Sequence, residues 1–207
     1  MATPSEELEI NIEAVDLNSR GVTLPSDRVG MVLSQPYVSL TPTEPYKCTE
    51  EAKELQTAAL TDTLKVALAA RHGATITHFT VFPEYSIPGL EGIALVENAL
   101  RATDWPSGTI VIGGADALPK PDFAILADAK DTHVETGHNA LARIGDHEWI
   151  NCGVIWVKGA DGTVERWLQP KLWPAGPERR TRFRNMYRGK SIFSFNGPFE
   201  NGARYRF

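Results

Sequence analysis

Cysteine is scarce in this sequence. Only Cys48 and Cys152 occur among its 207 residues, and two cysteines cannot build a disulfide framework, so a reducing compartment is expected. The chain also lacks an apolar stretch long enough to cross a membrane. Its acidic first 16 residues have no apolar core of the kind found in secretory signals. These absences predict a cytoplasmic protein that has no contact with a membrane.

Motifs that would indicate a cofactor or a metal are missing as well. The sequence contains no glycine-rich phosphate loop of the form G-x-x-x-x-G-K-[ST]. The five histidines show no tight ligand spacing, and only His133 and His138, which flank Glu135, come near the pattern of a zinc site. His78 lies in an apolar run, which favours a hydrogen-bonded core residue. We therefore expect neither a cofactor nor a metal.

The bulk composition is that of a folded protein. Hydrophobic residues make up 42% of the chain and charged residues 23%, which is enough to form a core. The net charge is −5, but residues 166–206 contain ten Lys/Arg and only two Asp/Glu. Such asymmetry indicates contact between the two halves or with a partner. We expect a domain over residues 28–207, preceded over residues 1–27 by a tail or an edge segment.

Hydrophobic patterning predicts alternating strands and helices, which is typical of an α/β fold. Gly73 is the expected stop of the first helix, and an Asp-Gly pair marks the turn of a hairpin. Residues 115–148 show no clear pattern. The predicted strands are residues 29–35, 75–82 and 109–112, the predicted helices residues 50–72 and 90–101, and the predicted hairpin residues 149–169.

Two short stretches place an ionisable side chain directly after a predicted strand. Glu84 ends the tripeptide FPE, and Lys171 lies in the hexapeptide QPKLWP. Because reacting groups collect beyond the carboxyl ends of strands in open α/β sheets, Glu84 and Lys171 are expected at one rim. There they would form an acid/base and oxyanion-stabilising pair. Each also has a simpler interpretation: Glu84 as a first-turn helix residue, and Lys171 as a solvated surface lysine.

The same stretches resemble the signatures of a known enzyme family. VFPEYSIPGL, which begins at Val81, is similar to the first catalytic signature of the nitrilase superfamily of carbon–nitrogen hydrolases. RWLQPKLWPAGPE, which begins at Arg166, is similar to the second. The order and separation of the signatures also match, and the resemblance runs from about Val29 to Phe207. It implies a nitrilase-like αββα sandwich, in which two sheets pack face to face, and here the sandwich is expected to be incomplete at its C-terminus.

The resemblance also implies roles for individual residues. Glu84 would be the general base, Lys171 the cation that stabilises charge on the substrate, and Glu178 a second glutamate that positions them. The family uses a nucleophilic cysteine, which neither Cys48 nor Cys152 matches in position. We therefore expect the nucleophile to lie beyond this chain, and we expect the chain alone to be inactive. The implied substrates are small molecules with a non-peptide amide, carbamoyl or nitrile C–N bond.

The basic segment, residues 179–190 from Arg179 to Lys190, leaves a second function open. Its arginines alternate with Phe183 and Tyr187, a composition that can bind nucleic acid. The simpler interpretation is a surface segment that buries both aromatic rings and leaves its arginines in solvent. The alternative function is thus a catalytically inactive nitrilase-like domain that binds nucleic acid or an acidic partner. Other expected partners are a second copy of the chain or the remainder of a longer polypeptide.

Overall fold

Strands and helices alternate through the first half of the chain, and an antiparallel hairpin dominates the second half. The protein is represented by a computed structural model, which describes residues 10–135, 140–174 and 185–207. In these residues the elements, in chain order, are β1 (Asn11–Asp16), β2 (Gly30–Leu33), α1 (Glu50–Ala69), β3 (Thr77–Val81), α2 (Gly89–Arg101), β4 (Thr109–Gly114), β5 (Leu118–Pro119), α3 (Lys120–Ala127), β6 (Thr132–His133), α4 (Ala140–Arg143), β7 (Trp149–Ile150), β8 (Cys152–Lys158), β9 (Val164–Pro170), β10 (Ser191–Pro198) and β11 (Arg204–Arg206).

A six-stranded sheet forms the centre of the fold, with the strand order β2-β3-β4-β8-β9-β6. The strands β2, β3 and β4 run parallel, because α1 and α2 carry the chain back between them. The strand β8 pairs antiparallel with β4 and with β9. The turn between β8 and β9 contains Gly162 at a φ of 84°, which a glycine adopts without strain. The predicted hairpin and the α/β class are therefore confirmed.

The helices α1 and α2 cover one face of this sheet. Their buried side chains share one hydrophobic cluster with side chains of β4, β8 and β9. Helix α1 begins at Glu50 as predicted but ends at Ala69 rather than at His72. Ala70 is already extended, and Gly73 adopts a φ of 62° in a turn before β3. The prediction that Gly73 stops the helix was therefore wrong, because its positive φ serves this later turn.

A three-stranded sheet of β1, β10 and β11 packs on the opposite face of the central sheet. The two sheets share a second hydrophobic cluster, in which the ring of Trp167 on β9 meets the ring of Phe195 on β10 edge to face at 5.2 Å. Strand β1 pairs parallel with β10. Residues 1–27 were expected to form either a tail or an edge segment, and residues 11–16 form the edge strand β1. Residues 1–9 lie outside the described part of the chain.

The region over residues 115–148, for which the sequence has no clear pattern, contains short elements. Strand β5 pairs with β7, which lies just beyond this region, in a two-stranded sheet, and β6 extends the edge of the central sheet beside β9. Helix α3 starts after Pro119, has a further proline in its first turn, and buries Phe123 and Leu126. Among the described helices, none combines the length and the apolar character that a membrane crossing requires.

Candidate active site

Glu84 lies in the loop that joins β3 to α2. Because α2 begins only at Gly89, the interpretation of Glu84 as a first-turn helix residue is wrong. The loop is fixed from within by Ser86, whose hydroxyl donates to the carbonyl of Pro83 at 2.6 Å. It also lies directly against the end of β4, where a Cβ on Gly114 would come within 2.6 Å of the Cα of Glu84. The absence of a side chain at Gly114 therefore lets the two backbones approach.

Lys171 directly follows the last residue of β9. Its backbone N–H donates to the carbonyl of Asn151 at 2.8 Å, and its own carbonyl accepts the N–H of Gly189 at 3.0 Å. Asn151 itself joins β7 to β8. The end of the hairpin and the segment around Gly189 thus hold the lysine backbone from both sides.

The structure brings Glu84 and Lys171 into direct contact. The ammonium nitrogen Nζ of Lys171 donates to the carboxylate oxygen Oε1 of Glu84 at 2.6 Å. The lysine side chain is 21% exposed and the glutamate side chain 48% exposed, so the interpretation of Lys171 as a solvated surface lysine is wrong. An ion pair with one partner this exposed contributes only about 0–1 kcal/mol to folding. The ion pair therefore adds little to the stability of the fold, and its possible importance is that it places a carboxylate and an ammonium side by side.

Asn151 belongs to the same cluster, and sequence reasoning missed it. Its side-chain nitrogen Nδ2 donates to Oε1 of Glu84 at 2.7 Å and to the hydroxyl of Tyr85 at 2.8 Å. Only 2% of Asn151 is exposed. Nothing in the sequence separates this asparagine from an ordinary strand residue, because its partners become neighbours only when β8 enters the sheet between β4 and β9.

Neither cysteine has the character of a nucleophile. Burial, with a smaller contribution from the carboxylate of Asp116, raises the pKa of the Cys48 thiol to about 11. Cys152 is fully buried at the start of β8, and burial raises the pKa of its thiol as well. Because the thiolate is the reactive form, burial disfavours a nucleophilic role for either side chain near neutral pH. The expectation that neither one serves the site stays a prediction.

The basic segment is described only in part. Glu178, the third predicted site residue, lies outside the described residues, as do Phe183 and the arginines before it. In the described part the ring of Tyr187 is buried, and its hydroxyl donates to Glu135 at 2.6 Å. The simpler interpretation leaves the arginines in solvent, but the guanidinium of Arg188 packs on the ring of Trp173, 4.2 Å from its centroid. This part of the segment therefore packs against the turn that follows Lys171.

Of the two histidines whose spacing comes near a zinc pattern, only His133 lies among the described residues. His133 lies 2.7 Å from the carboxylate of Glu165, which also accepts from Arg20 at 2.9 Å, and His138 lies outside the described residues. Within residues 10–135, 140–174 and 185–207, no group of three His, Cys, Asp or Glu side chains is arranged to bind a metal. His78 is a core residue whose Nδ1 accepts the backbone N–H of Gly30 at 3.1 Å.

Compared with protein families, curated proteins and solved structures, the chain matches none of them. The chemistry of the site therefore has to be inferred from its own groups. Glu84 can accept a proton, and Lys171 can stabilise negative charge, while Asn151 contacts the carboxylate from the buried side. Together they suit a reaction in which a proton moves while an anion develops nearby.

Proposed function

We propose that this chain supplies the general base and the cation of a carbon–nitrogen hydrolase of the nitrilase type. The observation that carries the proposal is the 2.6 Å contact between Nζ of Lys171 and Oε1 of Glu84. These residues lie in the two stretches that resemble the catalytic signatures of that superfamily. Their side chains start from loops 87 positions apart in sequence, so their meeting is not a consequence of local structure.

In the first half of the reaction, the carboxylate of Glu84 takes the proton of a cysteine thiol as the sulfur attacks the substrate carbon. The C=O π bond of an amide opens, and negative charge develops on its oxygen. The ammonium of Lys171 stabilises that charge. In an amide the intermediate then collapses, the C–N bond breaks, and the amine leaves with the proton from Glu84.

In the second half, Glu84 activates a water molecule by accepting its proton. The water oxygen attacks the thioester carbon, the C–S bond breaks, and the proton returns to the sulfur. For an amide the balance is one water consumed and one carboxylic acid and one amine released. Glu84 serves as base and acid in turn, which is why a single carboxylate beside a fixed cation is sufficient.

The nucleophile in this proposal does not belong to residues 1–207. Cys48 and Cys152 are the only cysteines, and burial raises the pKa of both thiols. The proposal therefore assigns the cysteine to the remainder of a longer polypeptide or to another chain. The face-to-face packing of the two sheets, with α1 and α2 outside, is compatible with part of an αββα sandwich and supports the same family. Glu178 stays a predicted positioning residue.

The test is the release of ammonia or amine from amides, N-carbamoyl compounds and nitriles by a polypeptide that joins this chain to the cysteine. We expect Glu84→Gln to lower kcat by about 10²–10⁴-fold and Lys171→Met to lower it by about 10²–10³-fold, with unchanged circular dichroism. The matched controls Glu148→Gln and Lys65→Met should retain the full rate. A Glu84→Gln enzyme with wild-type turnover would refute the proposal.

The second candidate is a catalytically inactive relative of this fold that acts as a binding or regulatory domain. The observation that favours it is the burial of both cysteine side chains. In that case the basic segment would be the binding surface for nucleic acid or an acidic partner. Binding of RNA or DNA oligonucleotides that weakens steeply with salt, together with no effect of Glu84→Gln, would favour this candidate over the hydrolase.

A further inference from the structure

Asn151 hydrogen-bonds to both members of the Glu84–Lys171 pair. Its backbone carbonyl accepts the N–H of Lys171 at 2.8 Å. Its side-chain Nδ2 donates to Oε1 of Glu84 at 2.7 Å. Asn151 is 2% exposed and lies between β7 and β8, so its contacts with Glu84 and Lys171 come from a buried position.

The two donors reach the same carboxylate oxygen. Lys171 Nζ and Asn151 Nδ2 bind Oε1 of Glu84 at 2.6 and 2.7 Å, while in the described part of the chain no hydrogen bond to Oε2 is found. A carboxylate has acceptor positions on both oxygens, so this arrangement anchors one oxygen and leaves the other to accept a proton. The carboxylate is thereby oriented before any substrate binds.

Tyr85 completes the arrangement from the side of the loop. The hydroxyl of Tyr85 accepts the second N–H of Asn151 Nδ2 at 2.8 Å. The backbone of Tyr85 has a φ of 60°, in the left-handed region that residues other than glycine rarely adopt. Such a backbone persists only where the surroundings hold it in place, and it is found preferentially at functional sites. Asn151 therefore holds both the carboxylate of Glu84 and the side chain of its neighbour Tyr85 by hydrogen bonds.

We infer that Asn151 is the positioning residue of this site, and that it directs Oε2 of Glu84 toward the proton that the base removes. The inference rests on the proposed function. In this role Asn151 acts through the Glu84 carboxylate, which it orients, and not as a base or a nucleophile. A positioning role differs from a structural one, because its loss should reduce the rate of the chemical step and leave folding and substrate binding almost unchanged.

The test uses the polypeptide that carries this chain and the nucleophile. Asn151→Ala should lower kcat by about 10- to 100-fold, as expected when a catalytic group loses its orientation, with KM changed by less than about threefold. The isosteric Asn151→Asp, which replaces the donor by a second carboxylate, should lower kcat further. Tyr85→Phe should give a smaller loss in the same direction. Asn196→Ala, which removes an amide on β10 that donates to the carbonyl of Ser194, is the matched control and should retain the wild-type rate.

A structure of Asn151→Ala in residues 1–207 gives a readout that needs no activity. We expect the Glu84 carboxylate to leave its position or to occupy several rotamers, with the overall fold retained. An unchanged carboxylate, or wild-type kcat in Asn151→Ala, would overturn the inference even where Glu84→Gln is inactive. A fully active Glu84→Gln enzyme would instead overturn the proposed function itself, so the two failures are distinguishable.

Discussion

The carboxylate of Asp116 accepts the backbone N–H of Gly89, the first residue of α2, at 2.7 Å. Its other oxygen accepts the N–H of Cys48, just before α1, at 2.9 Å. One buried side chain thus joins the starts of two helices and fixes the far end of the loop that carries Glu84. Burial raises the pKa of the Asp116 carboxyl, while the two N–H donors act in the opposite direction.

Asp116→Ala should destabilise the fold by about 1–3 kcal/mol, because it leaves two N–H groups at helix starts without their acceptor. Urea denaturation followed by circular dichroism measures the change. Asp62→Ala is the control, since Asp62 is 72% exposed and pairs with Lys65 in the same helix. Equal midpoints for Asp116→Ala and Asp62→Ala would show that Asp116 does not hold the helix starts.

The stability of the fold should depend on the protonation of His78. Burial lowers the pKa of His78 below its ordinary 6.5, and its Nδ1 must be unprotonated to accept the N–H of Gly30 on the edge strand β2. The unfolded chain therefore binds the proton at His78 more readily than the folded chain does. The stability that neutral His78 contributes is complete above about pH 6.5, and it is lost as the pH falls through the lower pKa of His78 in the folded state.

We expect the free energy of unfolding of the wild type to decrease as the pH falls below about 6.5, as measured by urea titrations at several pH values. His78→Gln keeps a polar side chain without the titration and should remove this part of the pH dependence. His72→Gln, which changes an exposed histidine, should leave the profile as it is in the wild type. If the free energy of unfolding of His78→Gln depended on pH as strongly as that of the wild type, His78 would not be the source of the pH dependence.

Both cysteines should resist alkylation in the folded chain. The pKa of Cys48 is raised to about 11 and that of Cys152 is also raised, chiefly by burial, so iodoacetamide at pH 8 meets almost no thiolate. Mass spectrometry should find little labelling of the native chain and complete labelling of both residues in urea. Rapid labelling of Cys48 or Cys152 in the native chain, with loss of an enzymatic activity, would contradict the placement of the nucleophile elsewhere.

Lys158 should stabilise the C-terminal end of α2. Its ammonium donates to the carbonyls of Ala102 and Trp105 at 2.8 Å each, and only 5% of the residue is exposed. Lys158→Met keeps most of the volume but removes these hydrogen bonds, which should cost about 1–3 kcal/mol in thermal or urea unfolding. Lys65→Met, on the exposed side of α1, should change stability by less than about 0.5 kcal/mol.

Local patterns predicted five of the six strands of the central sheet, namely β2, β3, β4, β8 and β9, but not the short edge strand β6 at Thr132–His133. They were insufficient for the second sheet. Strand β1 pairs with β10, so that Asn11 lies beside Ser191, and no local signal joins residues so far apart. The end of α1 differs from the predicted one for a local reason, because the helix already ends at Ala69. The positive φ of Gly73 serves a turn, whereas the sequence pattern is equally consistent with a helix stop.

The candidate site divides in the same way. Glu84 and Lys171 stand out in the sequence because each follows a strand in a recognisable motif, and the structure brings them together at 2.6 Å. Asn151 carries no such signal, although it contacts both. Asn151 reaches both residues because of the strand order, in which β8 lies between β4 and β9. The start of β8 therefore comes close to the loop that carries Glu84 and to the end of β9 that carries Lys171.

The amino-acid sequence by itself determined β2, α1, β3, α2, β4 and the hairpin of β8 and β9, and it marked the ionisable residues that follow two of these strands, because periodicity and turn residues act over a few positions. Only the tertiary structure decided that Oε1 of Glu84 receives both Lys171 and Asn151, and that both thiols are buried. These properties depend on contacts between distant segments. The hydrophobic packing of whole sheets and helices, rather than any local preference, brings such segments together.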